Sequence, residues 1–182
     1  MTIRIGAAIA AIGICGLAAA QVGGNNTDTS LVNTSGVSVK IGIGIPFDRS
    51  LSDGIGRTLT GFGIEYQPLR SLLRNSETYF AADIFVRDYS GSRGYVLPIT
   101  INQRFYNSQT LSTERRRQYA FIGAGFSVVD LNGGGTNTDF TIRGGVGAEL
   151  GERVFFEFAA YFGDARGNAR PNVFGIFGGY RF

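Results

Sequence analysis

The chain has 182 residues, the size of one domain with short appendages. Its formal net charge is only +3, which gives no reason to propose a nucleic-acid partner. There is no His, and the single Cys, Cys15, lies near the N-terminus. The rest of the chain therefore offers no disulfide, no thiol nucleophile and no imidazole or thiolate metal ligand, and no cofactor is expected.

Residues 1–20 read as an export signal. Arg4 supplies a positive charge, Ile5 to Leu17 an apolar core, and Ala18-Ala19-Ala20 a small-residue site before Gln21. Cys15 follows Ile14, where a lipid-attachment signal wants a small residue, so a lipoprotein is not expected. Residues 21–35 are Gly, Asn, Thr and Ser with few apolar residues, a composition that reads as a flexible lead-in. Residues 36–182 form the body.

In the body the apolar period is two. Val37, Val39, Ile41, Ile43, Ile45 and Phe47 alternate with Ser38, Lys40, Gly42, Gly44 and Pro46. Alternate side chains of a strand face opposite sides, so one face is apolar and the other small or polar. A second strand near 58–67 sets Phe62, Ile64 and Tyr66 against Gly61, Gly63, Glu65 and Gln67. A third, near 78–88, sets Phe80, Ala82, Ile84 and Val86 against Tyr79, Ala81, Asp83 and Arg87. A fourth, near 95–106, sets Tyr95, Leu97, Ile99, Ile101 and Phe105 against Thr100, Asn102 and Arg104. The fifth, near 118–129, is ambiguous: Ile122, Ala124, Phe126 and Val128 give one apolar face, but Tyr119 and Phe121 give the opposite one. The sixth sets Phe140, Ile142, Val146 and Ala148 against Thr141, Arg143, Gly145 and Glu149. The seventh sets Val154, Phe156, Phe158, Ala160 and Phe162 against Phe155, Glu157 and Tyr161. The eighth sets Phe174, Ile176, Gly178, Tyr180 and Phe182 against Gly175, Phe177, Gly179 and Arg181.

Turn residues separate these runs at 48–56, 90–94, 132–135, 151–152 and 163–171, with a polar loop at 108–117 and a possible helical turn at 68–75. The pattern predicts an all-β fold: an eight-stranded antiparallel up-and-down transmembrane β-barrel. Strands of about ten residues match the ~9–11 that cross a bilayer at a tilt, and an even number lets both termini lie on one side.

Alternation alone does not say which face meets water. A soluble barrel points its apolar face inward and bathes a charged face. Here the second face is sparse, with one or two charges per strand among small residues, which suits a crowded lumen. The parity gives that lumen Lys40, Arg87, Arg104, Arg143 and Arg181 with Glu65, Asp83, Glu149 and Glu157. A near-neutral set of this kind can pair internally, as a closed interior requires.

The last segment, Phe174-Gly-Ile-Phe-Gly-Gly-Tyr-Arg-Phe182, resembles the C-terminal insertion signal of outer-membrane barrels at Phe174, Ile176, Tyr180 and Phe182; Gly178 departs from it. The stretches 95–106 and 119–126 are similar to strands of the OmpA-like small-barrel family. The resemblance implies location in the cell outer membrane after export, and assembly by the barrel-insertion machinery. It further implies contact with outer-membrane lipid and lipopolysaccharide, a monomer, outward-facing loops at 48–57, 89–94, 130–138 and 163–171, and no appended peptidoglycan-binding domain.

Hydrolytic activity is not expected, because the usual Ser–His arrangement is excluded. Gly42-Ile-Gly44, Gly123-Ala-Gly125 and Gly144–Gly147 open no helix and are not read as phosphate loops. Glu114–Arg117 reads as a solvated turn, while Arg166 and Arg170 could meet lipid phosphates. The leading expectation is a structural or interaction barrel of the envelope. The alternatives are a narrow channel gated by the lumenal Arg/Glu network, and a soluble exported barrel that binds an apolar ligand.

Overall fold

The computed structural model describes residues 36–69, 76–89, 92–106, 118–131, 135–151, 153–164 and 170–182. The proposed signal and lead-in, the 68–75 turn beyond Leu69, and the Glu114–Arg117 cluster lie outside the described residues. The elements are β1 (Val37–Pro46), α1 (Arg49–Ile55), β2 (Leu59–Leu69), β3 (Ser76–Tyr89), β4 (Ser92–Tyr106), β5 (Gln118–Leu131), β6 (Thr136–Leu150), β7 (Val154–Gly163) and β8 (Val173–Arg181).

Each strand pairs antiparallel with its sequence neighbours, and β8 returns to β1, closing a barrel of eight strands. Closure runs from Ser38↔Arg181 to Pro46↔Val173, and the Phe182 amide donates to the Val37 carbonyl at 3.0 Å. No sheet edge is left open, so every strand's ladder is satisfied on both sides. The barrel has two distinguishable ends. Val37 and Phe182 mark the terminal end, and α1, between β1 and β2, marks the helix end.

The period-two pattern fixes which way each strand faces. Outward rows such as Ile41–Ile43–Ile45, Ile99–Ile101 and Phe156–Phe158 are exposed. Between them Gly44, Thr100 and Glu157 are buried and Gly42 is half-buried. Val37, Ser76, Ile84 and Asp130, of outward parity, are nonetheless buried. The fifth strand is resolved in favour of its aliphatic reading: Ile122, Ala124 and Phe126 are exposed, and Tyr119 and Phe121 point inward.

The lumen is less sparse than its sequence face suggests, because it is packed with rings. Phe85, Phe121, Phe155, Phe177, Tyr79, Tyr119 and Tyr161 are all buried. The strand glycines make the room. The register sets Phe85 opposite Gly61, Tyr119 opposite Gly147, Phe121 opposite Gly145, Phe155 opposite Gly179 and Phe177 opposite Gly42. A Cβ at Gly147 would run into the Tyr119 ring, and one at Gly179 into the Phe155 ring. Each ring thus lies over a bare stretch of backbone, as in a ring laid across a strand glycine.

The segment 48–56, expected as a plain turn, contains the helix α1. Asp48 caps it: its side chain accepts from Ser50 N at 3.1 Å and Leu51 N at 3.4 Å. Asp followed by a short run with Leu51 and Ile55 four apart is an N-cap and one apolar stripe. Both apolar side chains are fully buried, in a cluster with Leu59, Phe85, Val96, Val129 and Val173.

Candidate functional site

The charged residues of the inward face come from strands all round the barrel, and the antiparallel register brings most of them to one level. Lys40 of β1 is the centre. Its Nζ lies 3.1 Å from Glu65 Oε1 (β2), 3.0 Å from Asp83 Oδ1 (β3) and 2.8 Å from Glu157 Oε1 (β7). Arg143 (β6) reaches the same three carboxylates: it bonds Glu157 Oε1 and lies 3.5 Å from Glu65 and 3.6 Å from Asp83. Arg104 (β4) bonds Glu65 Oε2 at 2.6 Å. Three cations therefore face three anions, and the set is neutral. Neutrality is what lets it exist, since one missing partner would leave a buried charge without compensation.

Rings and hydroxyls complete the packing. The Arg104 guanidinium lies between Tyr79 and Tyr119, 4.3 and 4.5 Å from their centroids. Arg143 lies 4.7 Å from the Phe121 ring, and Lys40 4.7 Å from Phe177. Such cation–π contacts gain strength when desolvated. The Tyr161 hydroxyl donates to Asp83 Oδ2 at 2.6 Å.

A second group sits at the terminal end. Arg181 Nη1 bonds Glu149 Oε1 at 2.9 Å. The Tyr106 hydroxyl lies between Glu149 Oε1 (2.9 Å) and Glu77 Oε2 (2.7 Å), and Arg104 Nη1 is 3.4 Å from that same Glu77 oxygen. Through Tyr106 and Glu77 the chain of contacts runs unbroken from Arg181 to Lys40.

Of the nine charged positions singled out from sequence, eight enter this chain. Arg87 does not. Its Nη1 donates to the Thr58 carbonyl at 3.2 Å, near the helix end. It lies on the same face as Asp83 but four residues along β3, and the inward Phe85 ring stands between the two positions. Glu77 was missed because the sequence pattern starts the third strand at Thr78; the strand begins at Ser76, and the register sets Glu77 opposite Arg104. Parity places Tyr79 and Tyr161 on the inward face, as the structure does. Their roles as ring and hydroxyl partners could not be read that way, because those depend on strands far apart in sequence. The proposed insertion-signal residues Phe174, Ile176, Tyr180 and Phe182 all face outward on β8 and its end.

The carboxylates Glu65, Asp83 and Glu157 are each engaged by cations. The interior is filled with charge and rings. Among the described residues the apolar face is the exterior.

No protein-family model matches the chain, and no curated protein matches it. The solved structures similar to it include the following. The Yersinia pestis outer membrane protein Ail, in a phospholipid bilayer nanodisc, has 12% identity and a TM-score of 0.48, over 80% of this chain and 98% of that one. The N-terminal β-barrel domain of Pseudomonas aeruginosa OprF has 15% identity and a TM-score of 0.46, over 80% and 96%. Neisserial surface protein A has 14% identity and a TM-score of 0.44, over 80% and 96%. By its own strand order and closure, this chain is an eight-stranded antiparallel up-and-down β-barrel, apolar outside and charged within.

Proposed function

We propose that this protein is an outer-membrane β-barrel with a structural or interaction role in the bacterial cell envelope. On this reading it is exported through its N-terminal signal, inserted by the barrel-insertion machinery and present as a monomer among outer-membrane lipid and lipopolysaccharide. One observation carries the reading: the polarity of the barrel is inverted. Ile41, Ile122 and Phe126 are about 60% exposed, while Arg143 and Glu157 have no exposed surface. Soluble monomers rarely expose apolar patches beyond a few hundred Å². A belt of Ile, Val and Phe around a closed barrel fits hydrocarbon, and ion pairs inside fit a lumen sealed from it. Phe47, Phe162 and Phe174 cluster near the helix end, and Tyr180 and Phe182 pack edge-to-face at the terminal end. They stand where interfacial aromatics belong.

The test is gel mobility with and without boiling in detergent, together with extraction of membranes at high pH. The folded protein is expected to migrate differently from the boiled one and to stay with the membrane pellet. An aqueous protein with no heat-dependent shift overturns the reading.

The narrow gated channel is the second reading. Arg104 Nε and Arg143 Nε make no hydrogen bond among the described residues, so the network holds donors that a second arrangement could use. Planar-bilayer recordings decide it. Stepwise openings that change with Glu157→Gln support the channel, and silence from folded protein removes it.

A further inference from the structure

The connection between β1 and β2 does more than join neighbouring strands. A two-residue turn would join them, yet the chain makes α1 and carries it across the barrel mouth. Its contacts lie mainly on β4 rather than on β1, where it starts. The glycines of that far wall show how close it comes. A Cβ at Gly94 of β4 would strike the Ile55 side chain. One at Gly54 in α1 would sit 3.3 Å from Leu131 of β5. Leu51 and Ile55 point down the lumen and are fully buried over Val96, Val129, Val173 and Phe85. The opposite side of the helix, with Arg49, Ser50 and Asp53, is exposed. The helix end is therefore closed by an apolar stopper, and the charge network lies beneath it.

We propose that α1 is a movable lid that seals the lumen at the helix end and controls access of water and small solutes to the charged interior. The seal is slight in construction. Seven residues are too few for a helix to persist by itself, so α1 keeps its form only while Leu51 and Ile55 are seated. Its cap is the Asp48 side chain, and its other end turns at Gly56, whose φ of +91° favours glycine. Past Gly56, Arg87 grips the Thr58 carbonyl and so fixes the point from which the helix would swing. This explains why Arg87 stands apart from the network: it anchors the lid. A short element held by two side chains belongs to the low-stability end of a structure, where local opening occurs.

The test uses a reporter thiol under the lid. Val96 is fully buried in the cluster that receives Leu51 and Ile55. Val96→Cys is made in a chain with Cys15→Ser, and the folded protein in detergent is exposed to a small water-soluble thiol reagent. With α1 intact the thiol is expected to react slowly but to completion. Leu51→Ser/Ile55→Ser should speed the reaction by about tenfold or more, and Asp48→Ala, which touches only the cap, by roughly fivefold. The heat-dependent gel shift is read on every sample, so loss of the barrel is distinguished from loss of the lid. Reaction rates equal to the parent in heat-shifted Asp48→Ala protein overturn the lid, as does immediate reaction with α1 intact. A thiol that never reacts in the parent overturns its mobility. The lid rests on the barrel alone: it stands even where a high-pH wash removes the protein from membranes.

Discussion

Single residues in the lumen matter through what they leave behind. Glu157 serves both Lys40 and Arg143. Glu157→Ala leaves the three buried cations facing only Glu65 and Asp83, one carboxylate short of neutrality, and is expected to cost about 3–5 kcal/mol in urea unfolding of the detergent-folded protein. Arg181→Ala removes a single partner of Glu149 near the terminal end, where Tyr106 still lies within reach of that carboxylate. It should cost clearly less than Glu157→Ala. Equal losses would mean that the network does not centre on Lys40. The neutrality of the three-by-three set also implies that exchanging charge within it is tolerated poorly, because each carboxylate lies against at least two of the cations.

At the scale of the strand, the informative unit is a ring and the glycine opposite it. Gly147→Val would occupy the space of the Tyr119 ring. Displacing that ring also disturbs the stack on Arg104. Overpacking of this kind typically costs 1–3 kcal/mol, and the thermal midpoint of the folded protein should fall accordingly. A control at Gly178, whose absent Cβ faces outward and has only Phe156 nearby at 3.7 Å, should leave it unchanged as Gly178→Ala. The same comparison explains why glycine runs through this sequence without any phosphate-binding role. The glycines are the complement of the inward aromatics. Sequence parity showed the glycines and the rings separately, and only the register showed that they are partners.

For the whole barrel, closure is the decisive event. Phe182 stands just past β8, its amide bonded to Val37 of β1 and its ring exposed on the outer face. Phe182→Ala removes the outward ring but not the backbone bond. The expected outcome is reduced yield of heat-shifted protein in membranes, with unchanged stability of the fraction that does assemble. Equal assembly of the two forms would take the sorting role from Phe182 while leaving the barrel intact.

The strands, the facing of all but the fifth and the balance of charge were determined by the sequence, because a period of two assigns each side chain to one of two faces. Eight of the charged residues in the network could be named that way, whereas Glu77 could not. The helix in the first connection was legible only as a turn, since one short apolar pair gives too weak a period to stand out. What the tertiary structure decided was who meets whom. Lys40, Glu65, Asp83, Arg143 and Glu157 lie on five strands, and nothing local relates them until the sheet closes. The same closure puts Arg87 beyond the ring of Phe85 and lays α1 across the mouth. Facing is a local property of the strand, whereas partnership depends on register and closure.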